Sequence, residues 1–349
     1  MGDSTKNVRV GIIGLGMAGS NHLNEFAACQ NATVVCAADP SPAARQRVEK
    51  EHKDVVCVDD YHRLLERDDV DLVAVITPHK FHLPVAIDAF RAGKNVFCEK
   101  PLAMNVAECD EMIAAADSAG RRLLVVQNQR ANPPFHRLKR ILAENDLGEP
   151  IGGVVAYLGY EIKRLRDESN WKGTYDLAGG GVLLDGGCHI IDLCNWYYGR
   201  PVSVLANCRT PRQWSEKKAE TTSSILITYE SGATAQVFAS FETRIPGSFA
   251  EPTLEVSANL YFQNGTAHVR SGYYGPAGAD QSLWYICGSD EKHVVEPTQE
   301  DKLNYQQHML DCLLNGTEPI VTPAEARMAV AVAEAAYASA RDGKAVDVP

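Results

Sequence analysis

A chain of 349 residues, 45% hydrophobic and 23% charged, has the make-up of a globular protein and length for two domains with separate cores. Its formal net charge of −11 lacks the basic footprint that nucleic acid or an anionic membrane selects, so neither is expected as a partner. That charge still allows a local basic pocket for a small anionic substrate.

The 10 cysteines, among them Cys36, Cys57, Cys98 and Cys194, are scattered through apolar stretches without a CxxC pair, which points to reduced thiols. The opening MGDSTKNVRV has no apolar signal-peptide core, and Lys6 breaks a myristoylation pattern. No run of roughly 18 apolar residues stands out. A cytoplasmic protein without a membrane span is the expectation.

Up to residue 127, short apolar runs alternate with helical stretches. Strands are expected at Val8–Ile13, Thr33–Ala38, Val55–Val58, Leu72–Thr77, Asn95–Cys98 and Leu123–Gln127, and helices near 17–29, 41–51, 81–92 and 105–119. The runs are apolar throughout instead of alternating, as parallel strands covered on both faces require. Beyond residue 150 the texture changes. Val154–Tyr160, Val202–Thr210, Thr222–Tyr229, Thr234–Glu242 and Ser282–Cys287 read as strands, several of them amphipathic. Ser231-Gly232 fits a tight turn, and Asn264-Gly265 signals a hairpin through a type I′ turn. Helices near 300–315 and 323–341 close the chain.

The fold class is therefore α/β. An N-terminal Rossmann doubly wound parallel sheet over 1–127 precedes a C-terminal α/β domain with a large, mostly antiparallel open sheet over 128–349. That second sheet has too few helices to cover both faces. One apolar face is left for self-association, which predicts a homo-oligomer, a dimer or tetramer.

Gly14-Leu15-Gly16-Met17-Ala18-Gly19 fits GxGxxG, follows a strand and opens a helix. Here the first glycine permits the turn, the second admits a pyrophosphate, and the helix N-terminus offers N–H groups. Asp39 ends the next strand, where an acid binds ribose hydroxyls and repels a 2′-phosphate, so NAD is expected over NADP. Thr77, Pro78 and His79 follow the strand beside the glycine turn, at the ligand-binding edge. His82 either faces the cofactor or only caps its helix. The next strand ends Glu99-Lys100-Pro101, a charged pair that is either functional or a surface salt bridge. The expected cofactor contacts are thus Gly14, Leu15, Gly16, Met17, Ala18, Asp39, Thr77, Pro78, His79, His82, Glu99 and Lys100, with Asn128 after the last strand.

Downstream, three glycines precede Val182-Leu183-Leu184-Asp185-Gly186-Gly187-Cys188-His189-Ile190-Ile191-Asp192. On a regular helix Asp185, His189 and Asp192 fall within about 60° of one another. An Asp–His pair at this spacing suits proton transfer, because the carboxylate fixes the imidazole tautomer. The alternative is a core histidine satisfied by a neighbouring carboxylate. Cys188, His189 and Asp192 are too crowded for a zinc site, so no metal is expected.

GLGMAG, ITPHKFH, CEKP and GGGVLLDGGCHIIDLCNWYYG together resemble the Gfo/Idh/MocA family of glucose–fructose oxidoreductases and inositol dehydrogenases over nearly the whole chain. The resemblance implies a catalytic set of Lys100, Asp185 and His189. Trp171-Lys172-Gly173-Thr174 resembles a substrate-domain loop of the family, so Trp171 and Lys172 are candidate substrate contacts beside Lys100, Asp185 and His189; an exposed lysine is the alternative at 172. Where many relatives carry an Asn-Arg-Arg-Phe-like segment, this chain has Asn128-Gln129-Arg130-Ala131, which leaves the substrate open. The implied activity is hydride transfer between NAD and a secondary alcohol or ketone of a sugar, glycoside or cyclitol. Two other activities use the same fold: a hydrolase or lyase that retains NAD through transient oxidation, and an NAD-binding sensor. A sensor would not need all three of Lys100, Asp185 and His189.

Overall fold

Six apolar runs pair in parallel as β1 (Val8–Ile13), β2 (Ala32–Ala38), β3 (Val56–Val58), β4 (Leu72–Val75), β5 (Asn95–Cys98) and β6 (Leu123–Val125). They are hydrogen-bonded in the order β3-β2-β1-β4-β5-β6. This is the doubly wound order, whose direction reverses between β1 and β4. Every residue of β4 is buried, which explains why its run carries no alternation. The computed structural model describes residues 7–167, 170–211, 218–245, 254–274, 281–296 and 298–349. They form two compact units, 7–126 with Asn304–Arg327, and Gln127–Leu303 with Met328–Pro349.

Local chemistry sets the helix ends of the first unit. Ser41 accepts from Ala44 N at the start of Pro42–Glu51. Asn105 caps Val106–Ala119 by accepting from Glu108 N, Glu108 reaches back to Met104 N, and Gly120 ends the helix at φ +60°. The helix Tyr305–Asn315 belongs to this unit although it follows the second sheet in sequence; its Tyr305 hydroxyl donates to Val125 O at 2.6 Å.

The second unit is built on a nine-stranded sheet. Its strands are β7 (Pro150–Gly159), β8 (Pro201–Arg209), β9 (Thr222–Tyr229), β10 (Thr234–Ser240), β11 (Leu254–Phe262), β12 (Gly265–Tyr274), β13 (Ser282–Cys287), β14 (His293–Val295) and β15 (Val346–Asp347). They run in the order β14-β13-β12-β11-β7-β10-β9-β8-β15. All pairs are antiparallel except β10 with β7. The α/β architecture expected from the sequence is the one found. One face carries Val155, Tyr157, Ile225, Val237 and Val256 into a core with Phe135, Leu138, Ile190, Ile191 and Val332 from helices.

The structure corrects one expected turn, adds one helix and accounts for one apolar stretch. The β11–β12 hairpin exists, but Phe262 pairs with Gly265 across Gln263-Asn264, one residue before the expected turn. Among the described residues no non-glycine residue has positive φ, so the turn is not type I′. Helix Pro133–Glu144 was missed, though Pro133 at its start and Phe135, Leu138 and Ile141 on one face carry its signal. Finally, Tyr175–Tyr198 is long enough for a membrane span and contains an 18-residue window of mean hydropathy 1.3, but 89% of that window is buried in the fold. Its apolarity serves the core.

Candidate active site

The glycine-rich turn lies where β1 meets β4, at the reversal of strand order. Gly14 has φ +95°, and a Cβ there would stand 2.3 Å from Ile76 O at the end of β4. At Gly19 a Cβ would lie 1.9 Å from Gly14 O, so this glycine lets the helix Met17–Ala27 pack on its own turn. Gly16 differs: a Cβ there would meet nothing within 4 Å. Gly16, Met17 and Ala18 are exposed, and the first-turn N–H groups of the helix have no carbonyl within it. That is the cradle a pyrophosphate needs.

Asp39, at the end of β2, holds this turn. Its Oδ2 accepts from Leu15 N at 2.7 Å and its Oδ1 from Ser41 N at 2.8 Å. Arg47 donates to Leu15 O (2.6 Å) and Ser20 Oγ (2.9 Å), a second latch on the same loop. On the β4 side, Thr77 Oγ1 is buried and has no hydrogen-bond partner among the described residues, a polar atom left for a ligand. His79 is buried with its ring 5.6 Å from that of His82. His82 has Nδ1 2.9 Å from Pro101 O and Nε2 3.1 Å from Thr77 O, and it is completely buried. Burial pushes its pKa down despite those carbonyls. His82 therefore braces the two strand ends from inside, which departs from its expected contact with the cofactor.

Glu99 and Lys100 leave β5 at the same edge, and the Lys100–Pro101 peptide is cis. One oxygen of Glu99 accepts from Lys100 N at 2.8 Å; the other lies 2.7 Å from His22 Nε2. His22 had not been singled out in the sequence. Its signal was faint: a polar residue beside Leu23 on the buried face of an otherwise ordinary helix.

In the second unit the stretch expected as one regular helix is a π-helical turn, Leu183–Gly187, running into the α-helix Cys188–Tyr198. Such wide turns recur where a side chain must be re-aimed at a site. The glycines before and within it are spacers. A Cβ at Gly181 would lie 1.8 Å from Glu220 O, one at Gly180 2.2 Å from the Tyr337 hydroxyl, and one at Gly186 2.5 Å from the Tyr157 ring. Buried Glu220 accepts from Gly181 N and Leu183 N, both at 2.9 Å, and from the Tyr337 hydroxyl at 3.0 Å. Burial still pushes its pKa up. Glu220 thus caps the start of the helical stretch, and sequence reading missed it because its partners are distant in the chain.

Asp185 and His189 are both buried on this stretch, and the His189 ring lies parallel to Tyr157 at 6.3 Å. Lys172 Nζ stands 3.1 Å from Asp185 Oδ1 and 3.0 Å from Oδ2, and 5.7 Å from the Trp171 ring. Lys172 is therefore an ion-pair partner of Asp185, not an exposed lysine. Asp192, farther along the same helix, pairs with Arg130. It is fully buried against Arg130, with contacts of 2.8 Å to Nε and 2.7 Å to Nη2, and Arg130 also lies over Trp196 at 5.2 Å. Asn128 opens the short turn that carries Arg130 and is itself exposed.

A turn that leaves N–H groups open to a pyrophosphate, with a carboxylate fixed beside it, is the cofactor half of a dinucleotide-dependent dehydrogenase. Residues 8–127 match the family model described as oxidoreductase family, NAD-binding Rossmann fold, and residues 135–268 match the C-terminal domain model of the same family. The chain belongs to the GFO/IDH/MocA oxidoreductases, and its cofactor is NAD. It is 27% identical to a D-apiose dehydrogenase of Paraburkholderia graminis, over 99% of this chain and 91% of that one. It is 30% identical to inositol 2-dehydrogenase of Salmonella typhimurium over 64% of this chain and 66% of the relative. Among solved structures, the WlbA dehydrogenase from Bordetella pertussis in complex with NADH and UDP-GlcNAcA aligns with a TM-score of 0.84 at 25% identity, covering 100% of this chain and 99% of that one.

Proposed function

We propose that this protein oxidises a secondary alcohol of a sugar, glycoside or cyclitol, and in reverse reduces the corresponding ketone. The observation that carries the reading is the buried Asp185 carboxylate, held by Lys172 on the helical stretch that also bears His189. Names of relatives acting on D-apiose and inositol support the substrate class. Bound NAD supplies the hydride acceptor, so alcohol oxidation yields a ketone, a hydride and one proton. His189 takes the hydroxyl proton. Lys100 donates a hydrogen bond to the oxygen as charge grows on it, which its ammonium stabilises. Asp185 orients the imidazole and stabilises its protonated form. Lys172 holds the Asp185 carboxylate in place and offsets part of its negative charge.

Gly14, Leu15, Gly16, Met17 and Ala18 hold the pyrophosphate in this reading, and Asp39 the ribose; Thr77, Pro78 and His79 complete the edge. Trp171 and Lys172 border the substrate. The test is a panel of D-apiose, inositols and simple glycosides, scored in parallel for NADH absorbance and for product. Stoichiometric NADH and ketone are expected from at least one of them. Product that needs NAD but leaves no net NADH would overturn the reading in favour of transient oxidation.

A further inference from the structure

We propose that His22 is a positioning residue for Lys100: with Glu99 it forms a buried bridge between the helix behind the glycine-rich turn and the strand end that carries the lysine. The functional weight of the bridge rests on the reading of Lys100 as the group that meets the substrate oxygen; its structural part does not.

The bridge runs through one carboxylate. Glu99 Oε1 faces His22 Nε2 at 2.7 Å, and Oε2 accepts the main-chain N–H of Lys100 at 2.8 Å. Any rotation of Glu99 that breaks one contact disturbs the other. The His22 and Glu99 side chains are only 9% and 14% exposed, so the hydrogen bonds are made where water competes poorly. On its far side, His22 Nδ1 is 3.0 Å from Gln306 Nε2 and 3.4 Å from Glu25 Oε2. If Nδ1 accepts from the amide, Nε2 must carry the ring proton; if the ring is doubly protonated, Nε2 carries one too. In both states His22 donates to Glu99.

Ring packing fixes the direction of that donor. Phe97, two residues before Glu99 on β5, meets the His22 ring edge-on at 5.4 Å and the Phe26 ring at 5.1 Å. The helix that offers its N-terminus to the cofactor is thereby keyed to the strand that offers Lys100. Such a link has a purpose in a dehydrogenase, where a misplacement of about 1 Å can lower turnover on the order of a hundredfold.

The test compares His22→Ala and His22→Gln, the second of which keeps an N–H able to reach Glu99. Hydrogen–deuterium exchange of the peptide spanning Lys100 should quicken about tenfold or more in His22→Ala and stay near wild type in His22→Gln, with β1 unchanged in both. Unchanged protection at Lys100 in His22→Ala would overturn the bridge. Titration with NADH should give affinities within about threefold of wild type, since the pyrophosphate contacts are intact. Turnover should fall about ten- to a hundredfold in His22→Ala, recover in His22→Gln, and fall no further when His22→Ala is added to Lys100→Met. Effects that multiply in the double variant would overturn the positioning role. Full turnover by Lys100→Met alone would instead remove Lys100 from the mechanism while leaving the exchange result standing.

Discussion

At the residue scale the proposed division is between groups that hold the cofactor and groups that act on the substrate. His189→Ala removes the proposed base, and turnover should fall on the order of 10²–10⁴-fold. Lys100→Met keeps the stem but deletes the charge, so turnover should fall while NADH affinity, read by fluorescence titration, changes little. A folded Lys100→Met protein with normal turnover would refute the role. Asp39 supports a second prediction, and its geometry dictates the variant. Because its carboxylate also holds Leu15 N and Ser41 N, Asp39→Ala would loosen the glycine turn and weaken either cofactor. Asp39→Asn keeps an acceptor and removes the charge, so it is the cleaner probe. Wild type should bind NADH at least about tenfold more tightly than NADPH, and Asp39→Asn should narrow that gap, with Arg45 and Arg47 close by to receive an added phosphate. Equal binding of the two by wild type would count against the assignment.

At the element scale the piece to probe is the π-helical turn Leu183–Gly187, which carries Asp185 and leads into the helix Cys188–Tyr198 that carries His189, both proposed to act on the substrate. Its start is held by Glu220, which satisfies two main-chain N–H groups and the Tyr337 hydroxyl. Glu220→Ala leaves those donors buried and unpaired, a cost on the order of 2–5 kcal/mol in unfolding free energy. Chemical denaturation should show this loss as a lower midpoint. A midpoint equal to that of wild type would mean that the carboxylate is not the cap. Sequence reading placed Asp185 and His189 on one helical stretch but took it as regular, with Asp192 on the same face. In the structure that stretch opens with a wide turn, and Asp192 forms a buried ion pair with Arg130.

At the scale of the molecule, the nine-stranded sheet packs one face on helices, and among the described residues its other face exposes apolar side chains. The open face shows Val154 (40% exposed), Leu205 (46%), Leu226 (37%), Phe238 (39%) and Tyr261 (42%). Register places Leu205 opposite Leu226, and Leu226 and Val154 on either side of Gln236, so these side chains form a row across neighbouring strands. An apolar row of this kind is a candidate self-association surface. Light scattering at micromolar concentration should give two or four times the chain mass of 38.1 kDa, and Phe238→Asp with Leu226→Asp should lower it. A wild-type mass of one chain would refute the proposal.

What the sequence by itself determined was whatever depends on neighbours in the chain. Continuous apolar runs, a glycine spacing at a strand end and an acid at the end of the next strand specify a Rossmann sheet and its cofactor turn, since the turn's geometry is encoded within a few residues. The alternation beyond residue 150 specified an open sheet for the same reason. Only the tertiary structure decided which polar groups serve each other. Lys172 with Asp185, Arg130 with Asp192, His22 with Glu99 and Glu220 with Gly181 and Leu183 are pairs of groups far apart in sequence. A buried charge or hydrogen-bonding group must find a partner wherever the fold brings one, and no local pattern records that choice.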